Sequence, residues 1–364
     1  MLKTLDRHVL REFLLYLLLG LCAFIGIYLI VDLFEKIDTF VDHRADTAAI
    51  FSYYLYSLPV ILLQVLPVAM LLASVLAFGQ LRKFNEITAM QSCGLSPLRI
   101  TGPVLIVGLL ISGGSFLLSE MVVPQAYARR EETLEVTIKQ KRPEASAERS
   151  DIDYIGRGGR IYVAKRFDPR VPVLAEVSIQ QRGSGEARAR LWRRVDALEA
   201  LWTPGGFLEM RNGTVRIFQG ETETMAAFRR YGDSRLVEQP DEFMRVENDP
   251  FSMSRSQLSD YIGRIREGGA SVSKYLVDYH LRVAFPMVNF IMVLLGTCLS
   301  LRIMRGTVAL GFGITISLGF IYYGFLRVGQ ALGYAGDLSP LLAAWMGNLA
   351  FGLLGGILFW RTNR

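Results

Sequence analysis

The chain has 364 residues, 51% of them hydrophobic, with 40 Lys and Arg against 34 Asp and Glu and a formal net charge of +6. The small basic surplus sits largely in short loops, so a nucleic-acid-binding role finds no support. Cys22 and Cys298 lie within apolar runs and Cys93 in a polar connection, which leaves no disulfide framework and no Cys-based zinc site.

The first apolar stretch runs from Phe13 to Val31 and is preceded by Lys3, Arg7 and Arg11. It is too long for a signal peptide and no small-residue cleavage pattern follows, so it reads as an uncleaved anchor. Phe51 to Leu81 and Leu98 to Val123 follow, and after a polar insert come Leu281 to Leu301, Thr307 to Val328 and Pro340 to Trp360. Each stretch has about 20 residues or more, enough at ~1.5 Å per residue to cross a ~30 Å hydrocarbon core. The expected fold is an α-helical membrane protein with six transmembrane helices, three on each side of an inserted domain. One set of helix ends carries Lys3, Arg7, Arg11, Arg82, Lys83, Arg99, Arg302, Arg305, Arg361 and Arg364. The opposite short connections carry Asp32, Glu35, Asp38, Asp42, Asp46 and Asp337 against Lys36 and Arg44. Basic residues are retained on the cytoplasmic side, which predicts cytoplasmic termini and an insert outside.

The connection between the second and third spans, "QLRKFNEITAMQSCGLSPLRI", combines Phe84, Ile87 and Met90 or Gln91 at helical spacing with a stop at Gly94, Ser96 and Pro97. This predicts a short amphipathic helix, about 82–97, with Glu86 at its centre. It either anchors the bundle or docks into a groove of a cytoplasmic partner, with Glu86 meeting a cation there.

From Met121 to His280 there are 26 Lys or Arg against 24 Asp or Glu, so the insert is nearly neutral. Strands are expected at Ile152 to Ile155 and Arg160 to Lys165, separated by Gly156, Gly158 and Gly159, then at Leu174 to Gln181, Leu191 to Trp202 and Glu221 to Ala227. "FLEMR" and "TVRIF" are joined by Asn212 and Gly213, a pair that signals a tight hairpin. Many short strands suggest a sandwich or jelly roll. Tyr162, Val163, Leu174, Phe207, Met210, Val215, Ile217 and Phe218 form either its ordinary core or an apolar lining. Ser254 to Glu267 places Leu258, Ile262 and Ile265 at helical spacing behind Ser254 as N-cap, a helix leading back to the membrane. The organisation is therefore 1–123 (three spans), 124–270 (the β insert) and 271–364 (three spans).

No GxxxxGK[ST], HExxH or GxSxG motif is present, and His8, His43 and His280 are the only histidines, so catalysis by this chain is not expected. Adjacent carboxylates such as Glu131 and Glu132 point to different sides of a helix and read as a solvated surface.

The chain resembles the paired membrane subunits of the lipopolysaccharide export transporter, the LptF/LptG permeases. The resemblance rests on "LDRHVLREF", "VDLFEKI", "LPVAMLLASVLAFGQL", "NEITAMQSCG", "VVPQA" and "HLRVAFPMVNFIMVLLG", and "LSPLLAAWMGN" draws it towards LptG. It implies a non-catalytic permease of the bacterial inner membrane, with a periplasmic β-jelly-roll insert and no cofactor of its own. ATP would be bound by a cytoplasmic ABC ATPase dimer. The implied partners are that ATPase, a second LptF-type permease, a membrane-anchored periplasmic jelly-roll bridge and lipopolysaccharide. Phe84, Glu86, Ile87, Met90 and Gly94 fall on the family's coupling helix, with Glu86 on its acidic docking residue. Lys36, Arg129, Arg130 and Arg327 become candidate contacts for lipid phosphates, although Arg327 equally reads as a snorkelling interfacial charge. The rival reading is a membrane-anchored periplasmic binding or sensing module.

Overall fold

The structure, a computed structural model, describes residues 4–139, 149–156, 160–168, 171–182, 191–203, 207–219, 222–233, 236, 238–240, 252–267, 271–302 and 308–362. Lys3, Gly158, Gly159, Glu221, Arg305, Thr307 and Arg364, named above, lie outside the described residues. Two compact units are present: a helical unit of Met1–Leu134 with Leu276–Arg364, and a β unit of Glu135–Tyr275. The helical unit keeps α5 (Val123–Glu132), which packs on the second span, so the insert as a compact body begins later than its polar sequence does.

Six helices are long and apolar enough to cross a membrane: α1 (Thr4–Asp42), α2 (Thr47–Lys83), α4 (Pro97–Met121), α7 (Ser273–Arg302), α8 (Val308–Ala335) and α9 (Pro340–Thr362). Each of α1, α2 and α7 overruns its apolar stretch, because polar flanks extend a helix wherever no breaker stops them. α2 lies innermost near its C-terminal half, where Ala69, Met70, Leu71, Ala73, Val75, Ala77 and Phe78 are fully buried. Val9, Phe13, Ile100 and Val104 pack on one side of it; Val288, Met292, Leu295, Tyr322 and Phe351 pack on the other.

Buried polar side chains stitch these helices where water is scarce. Asn348 donates to the Ala284 carbonyl at 2.6 Å and accepts from the Tyr322 hydroxyl at 3.0 Å, tying α9 to α7 and α8. Asn289 donates to Ser115 Oγ at 3.0 Å between α7 and α4. Such interhelical bonds hold a bundle that has no hydrophobic drive against lipid.

The β unit contains β1 (Arg149–Ile155), β2 (Arg160–Asp168), β3 (Val173–Arg182), β4 (Leu191–Trp202), β5 (Leu208–Gln219) and β6 (Thr222–Gly232). They form one antiparallel sheet in the order β1-β2-β3-β4-β5-β6. Short connections make each strand's sequence neighbour its pairing partner, so the jelly-roll expectation is refined to a sequential meander.

This meander is folded across its strands. Asp151, Lys165, Glu176, Leu198, Asn212 and Arg229 align in one row, and the pairing register skips every one of them. Two members of the row, Glu176 (φ 49°) and Asn212 (φ 50°), adopt the left-handed conformation. Across it the inward positions step by three rather than two: Ala164 to Phe167, Leu174 to Val177, Ala197 to Ala200. The step marks a bend that turns both halves of each strand towards the same interior. Arg193 demonstrates the closure. It pairs with Ile217, which pairs with Thr224, seven residues before Tyr231, a separation of roughly 23 Å on a flat sheet. Yet Arg193 donates hydrogen bonds to both the Tyr231 hydroxyl and Asp233 Oδ2.

The expected Asn-Gly hairpin is therefore not formed, and β5 continues as one strand, bent, through Asn212 and Gly213. A Cβ on Gly213 would lie 2.0 Å from the Asp196 carbonyl oxygen, so the close approach at the bend requires glycine. Tyr162, Leu174 and Met210 are fully buried core, whereas Val163 faces outward, 37% exposed. Burial, then the Glu238 carboxylate that accepts its hydrogen bond at 2.7 Å, push the Tyr162 phenol far above its usual range. The returning helix α6 (Arg255–Glu267) matches its expectation, with Leu258, Ile262 and Ile265 buried. Ser254 Oγ accepts from Gln257 N–H at 3.4 Å while Ser254 N–H donates to Gln257 Oε1 at 2.8 Å, a reciprocal capping box.

Candidate functional site

The connection predicted as one helix over about 82–97 is resolved into parts. α2 continues to Lys83, Asn85 breaks the chain with φ 58°, and α3 covers only Glu86–Ser92. Gly94 (φ 83°) then ends it, and Leu95 N–H reaches back to the Met90 carbonyl at 3.2 Å, closing a Schellman turn. Ser96 accepts from the Arg99 N–H and Pro97 opens α4, as the residue types predict.

α3 has two faces. Ile87 (4% exposed) and Met90 (7%) sit in the bundle core with Val9 and Phe13 and anchor the helix there. Phe84, 60% exposed, precedes the break and projects from the end of α2. Thr88, Ala89, Gln91 and Ser92 are exposed with it. The expected equivalence of Phe84, Ile87 and Met90 fails because the left-handed Asn85 takes Phe84 off the helical repeat. Glu86 is half-buried, and its Oε2 lies 2.8 Å from His8 Nε2 near the start of α1. Arg82 reaches the Ser300 carbonyl at 3.1 Å, and Arg99 binds Asp6 Oδ2 at 2.9 Å.

Three of the four predicted cations converge on the first turns of α2. Lys36 donates to Asp32 at 2.9 Å and to the Tyr53 hydroxyl, and it lies over the Tyr53 ring. Arg129 stands over the Tyr56 ring at 5.9 Å. Arg130 stacks on Tyr127 at 4.3 Å and binds Glu131 at 2.6 Å. Burial works against the Arg130 charge, but the Glu131 bond and the neighbouring tyrosines outweigh it and raise its proton affinity. Tyr53, Tyr54 and Phe40 meet edge to face at this place. The tyrosine platform lies outside the sequence-derived candidates, although "YYLYS" at 53–57 after the acidic turn is its visible signal. Arg327 stands elsewhere on α8, exposed and bonded to Gln330 at 3.2 Å. The cations keep donor capacity towards an anion, with aromatic and apolar surface beside them, an arrangement suited to a phosphate-bearing amphiphile.

Among the described residues no cluster of His, Cys, Asp and Glu could hold a metal ion. Six apolar helices around a packed bundle, with a folded β unit between the third and fourth of them, define a multi-pass membrane protein. Residues 7–361 match the family model described as "Lipopolysaccharide export system permease LptF/LptG", and the chain belongs to that family. It is also similar to the lipopolysaccharide export system permease protein LptG of Haemophilus influenzae, 23% identical over 332 residues, which cover 89% of this chain and 88% of that protein.

Proposed function

We propose that this chain is the transmembrane permease subunit of an ABC transporter that extracts lipopolysaccharide from the inner membrane and passes it to a periplasmic bridge. The family match over residues 7–361 carries this reading. Two cytoplasmic ATPase subunits would supply the energy, and a second, LptF-type permease would complete the membrane part. The basic residues in the loops beside α3 and the termini support a cytoplasmic position for these and a periplasmic one for the β unit. α1 and α8 have the least covered apolar surfaces of the six spans, which suits helices that face a second permease and a lipid cavity.

In this reading Phe84, Glu86 and the exposed side of α3 meet the ATPase, and Ile87 and Met90 carry its movement into the bundle. Lys36, Arg129 and Arg130 engage lipid A phosphates at the outer ends of α1 and α5, and Arg327 adds a separate charge on α8. The test is purification of the tagged chain from its native membrane in mild detergent. Recovery of an ATPase, a second six-span protein and lipopolysaccharide, with ATP-driven release of that lipid from vesicles, is the expected result. Recovery of the chain alone, under conditions that keep other transporters whole, overturns it in favour of a periplasmic sensing module.

A further inference from the structure

α1 has the least covered apolar surface of the six spans, yet its first two turns are held on two sides. Asp6 is 5% exposed and accepts a 2.9 Å bond from Arg99 Nη2 at the start of α4. His8 Nε2 lies 2.8 Å from Glu86 Oε2 on α3. Two residues along a helix are about 200° apart around its axis, so these contacts grip α1 from different directions. Val9 and Phe13 fill the space beside them and pack in one cluster with Ile87 and Met90. The segment 86–99 is thus joined to the start of α1 by two polar ties and an apolar contact.

We infer that the first turns of α1 are the element through which movement of α3 reaches the spans, with Asp6 and His8 as positioning residues. The inference rests on the proposed docking of an ATPase on α3. The two ties differ in kind. The Asp6 side chain is 7% exposed against 41% for Arg99, so water reaches only the guanidinium end, and the shielded carboxylate makes this tie harder to exchange than one between two exposed groups. His8 and Glu86 are both more than a third exposed, so water or a partner's cation replaces their contact readily. The Asp6 tie moves α1 together with the start of α4, while the His8 tie yields when Glu86 takes a partner's cation. A lightly packed span pinned in this way tilts as a lever when its end is displaced, whereas α2, buried along much of its length, resists.

Amide hydrogen exchange of the purified full-length chain tests the pin without any partner. Asp6→Asn should raise exchange in residues 4–13 and 86–92 about tenfold, and the double swap Asp6→Arg with Arg99→Asp should return it towards wild type. Unchanged exchange in Asp6→Asn overturns the pin. Transmission is then read in the complex reconstituted with its ATPase. Asp6→Asn should leave ATP hydrolysis running while ATP-driven lipid release falls about tenfold, with recovery in the swap. Release equal to wild type overturns the lever role. A wild-type complex with no ATP-driven release overturns the export reading and the lever with it, while the exchange result still decides the pin.

Discussion

Phe84 and Ile87 stand three residues apart and the fold assigns them opposite duties, so their truncations should separate stability from partner binding. Ile87→Ala removes three carbons from a side chain only 4% exposed and packed with Val9, Phe13 and Met90. At ~0.8 kcal/mol per buried methylene, with a further contribution from the cavity left behind, the loss is about 3 kcal/mol. Phe84, 60% exposed, contributes little to packing, so Phe84→Ala should change stability by less than ~1 kcal/mol. As an exposed aromatic anchor it should instead contribute about 2 kcal/mol to ATPase binding, close to a 30-fold change in Kd. Thermal unfolding of each variant in detergent, with titration of the purified ATPase, reads both quantities. The expected pattern is a lowered Tm for Ile87→Ala and a weakened complex at unchanged Tm for Phe84→Ala. If Phe84→Ala lowers Tm as much as Ile87→Ala does, or binds the ATPase as wild type, the two-faced reading of this segment is wrong.

Gly213→Ala should destabilise the β unit by ~3 kcal/mol or more, because the new methyl meets the Asp196 carbonyl and Ala197 Cα, which are backbone and cannot rotate away; faster limited proteolysis within 149–240 is the readout. Asn348→Leu removes ties to both Tyr322 and Ala284 and should cost about 1–3 kcal/mol in a mixed-micelle unfolding titration. Lys36→Gln and Arg129→Gln should each reduce photocrosslinking to lipopolysaccharide from probes placed beside them; undiminished crosslinking would leave both as surface charges. The folded β unit keeps the proton on Tyr162 where the unfolded chain releases it near pH 10. Its stability is therefore whole below about pH 10 and falls as the pH rises beyond, and Tyr162→Phe should flatten that decline in a denaturant series.

Much of the architecture is legible because its causes are local. Helix length, apolar runs, the Ser254 and Ser96 caps and the stop at Gly94 act within a few residues of themselves, so their patterns predict what forms. The alternation of β2, β3 and β4 likewise predicts strands near their observed bounds. Asn212 and Gly213 mislead for a physical reason: a left-handed Asn before Gly serves a hairpin turn and a bend within a strand equally well. Only the neighbours opposite, Leu198 on β4 and Arg229 on β6, decide between them.

The site divides in the same way. The amphipathic character of the connection after α2 is visible in its residues, as is the acidic centre at Glu86. Which apolar side chains anchor and which project is settled by the break at Asn85 and by burial against α1, neither of which a periodicity can show. Glu86 and His8 are 78 positions apart, Asp6 and Arg99 are 93 apart, and Arg193 meets Asp233 across 40. The sequence alone determined that this chain enters a membrane six times and carries a β insert, because hydropathy and period are properties of single segments. The folding of the sheet on itself, the tyrosine platform under Lys36 and the grip of α1 on α3 were decided by the tertiary structure, because each depends on which distant segments packing brings together.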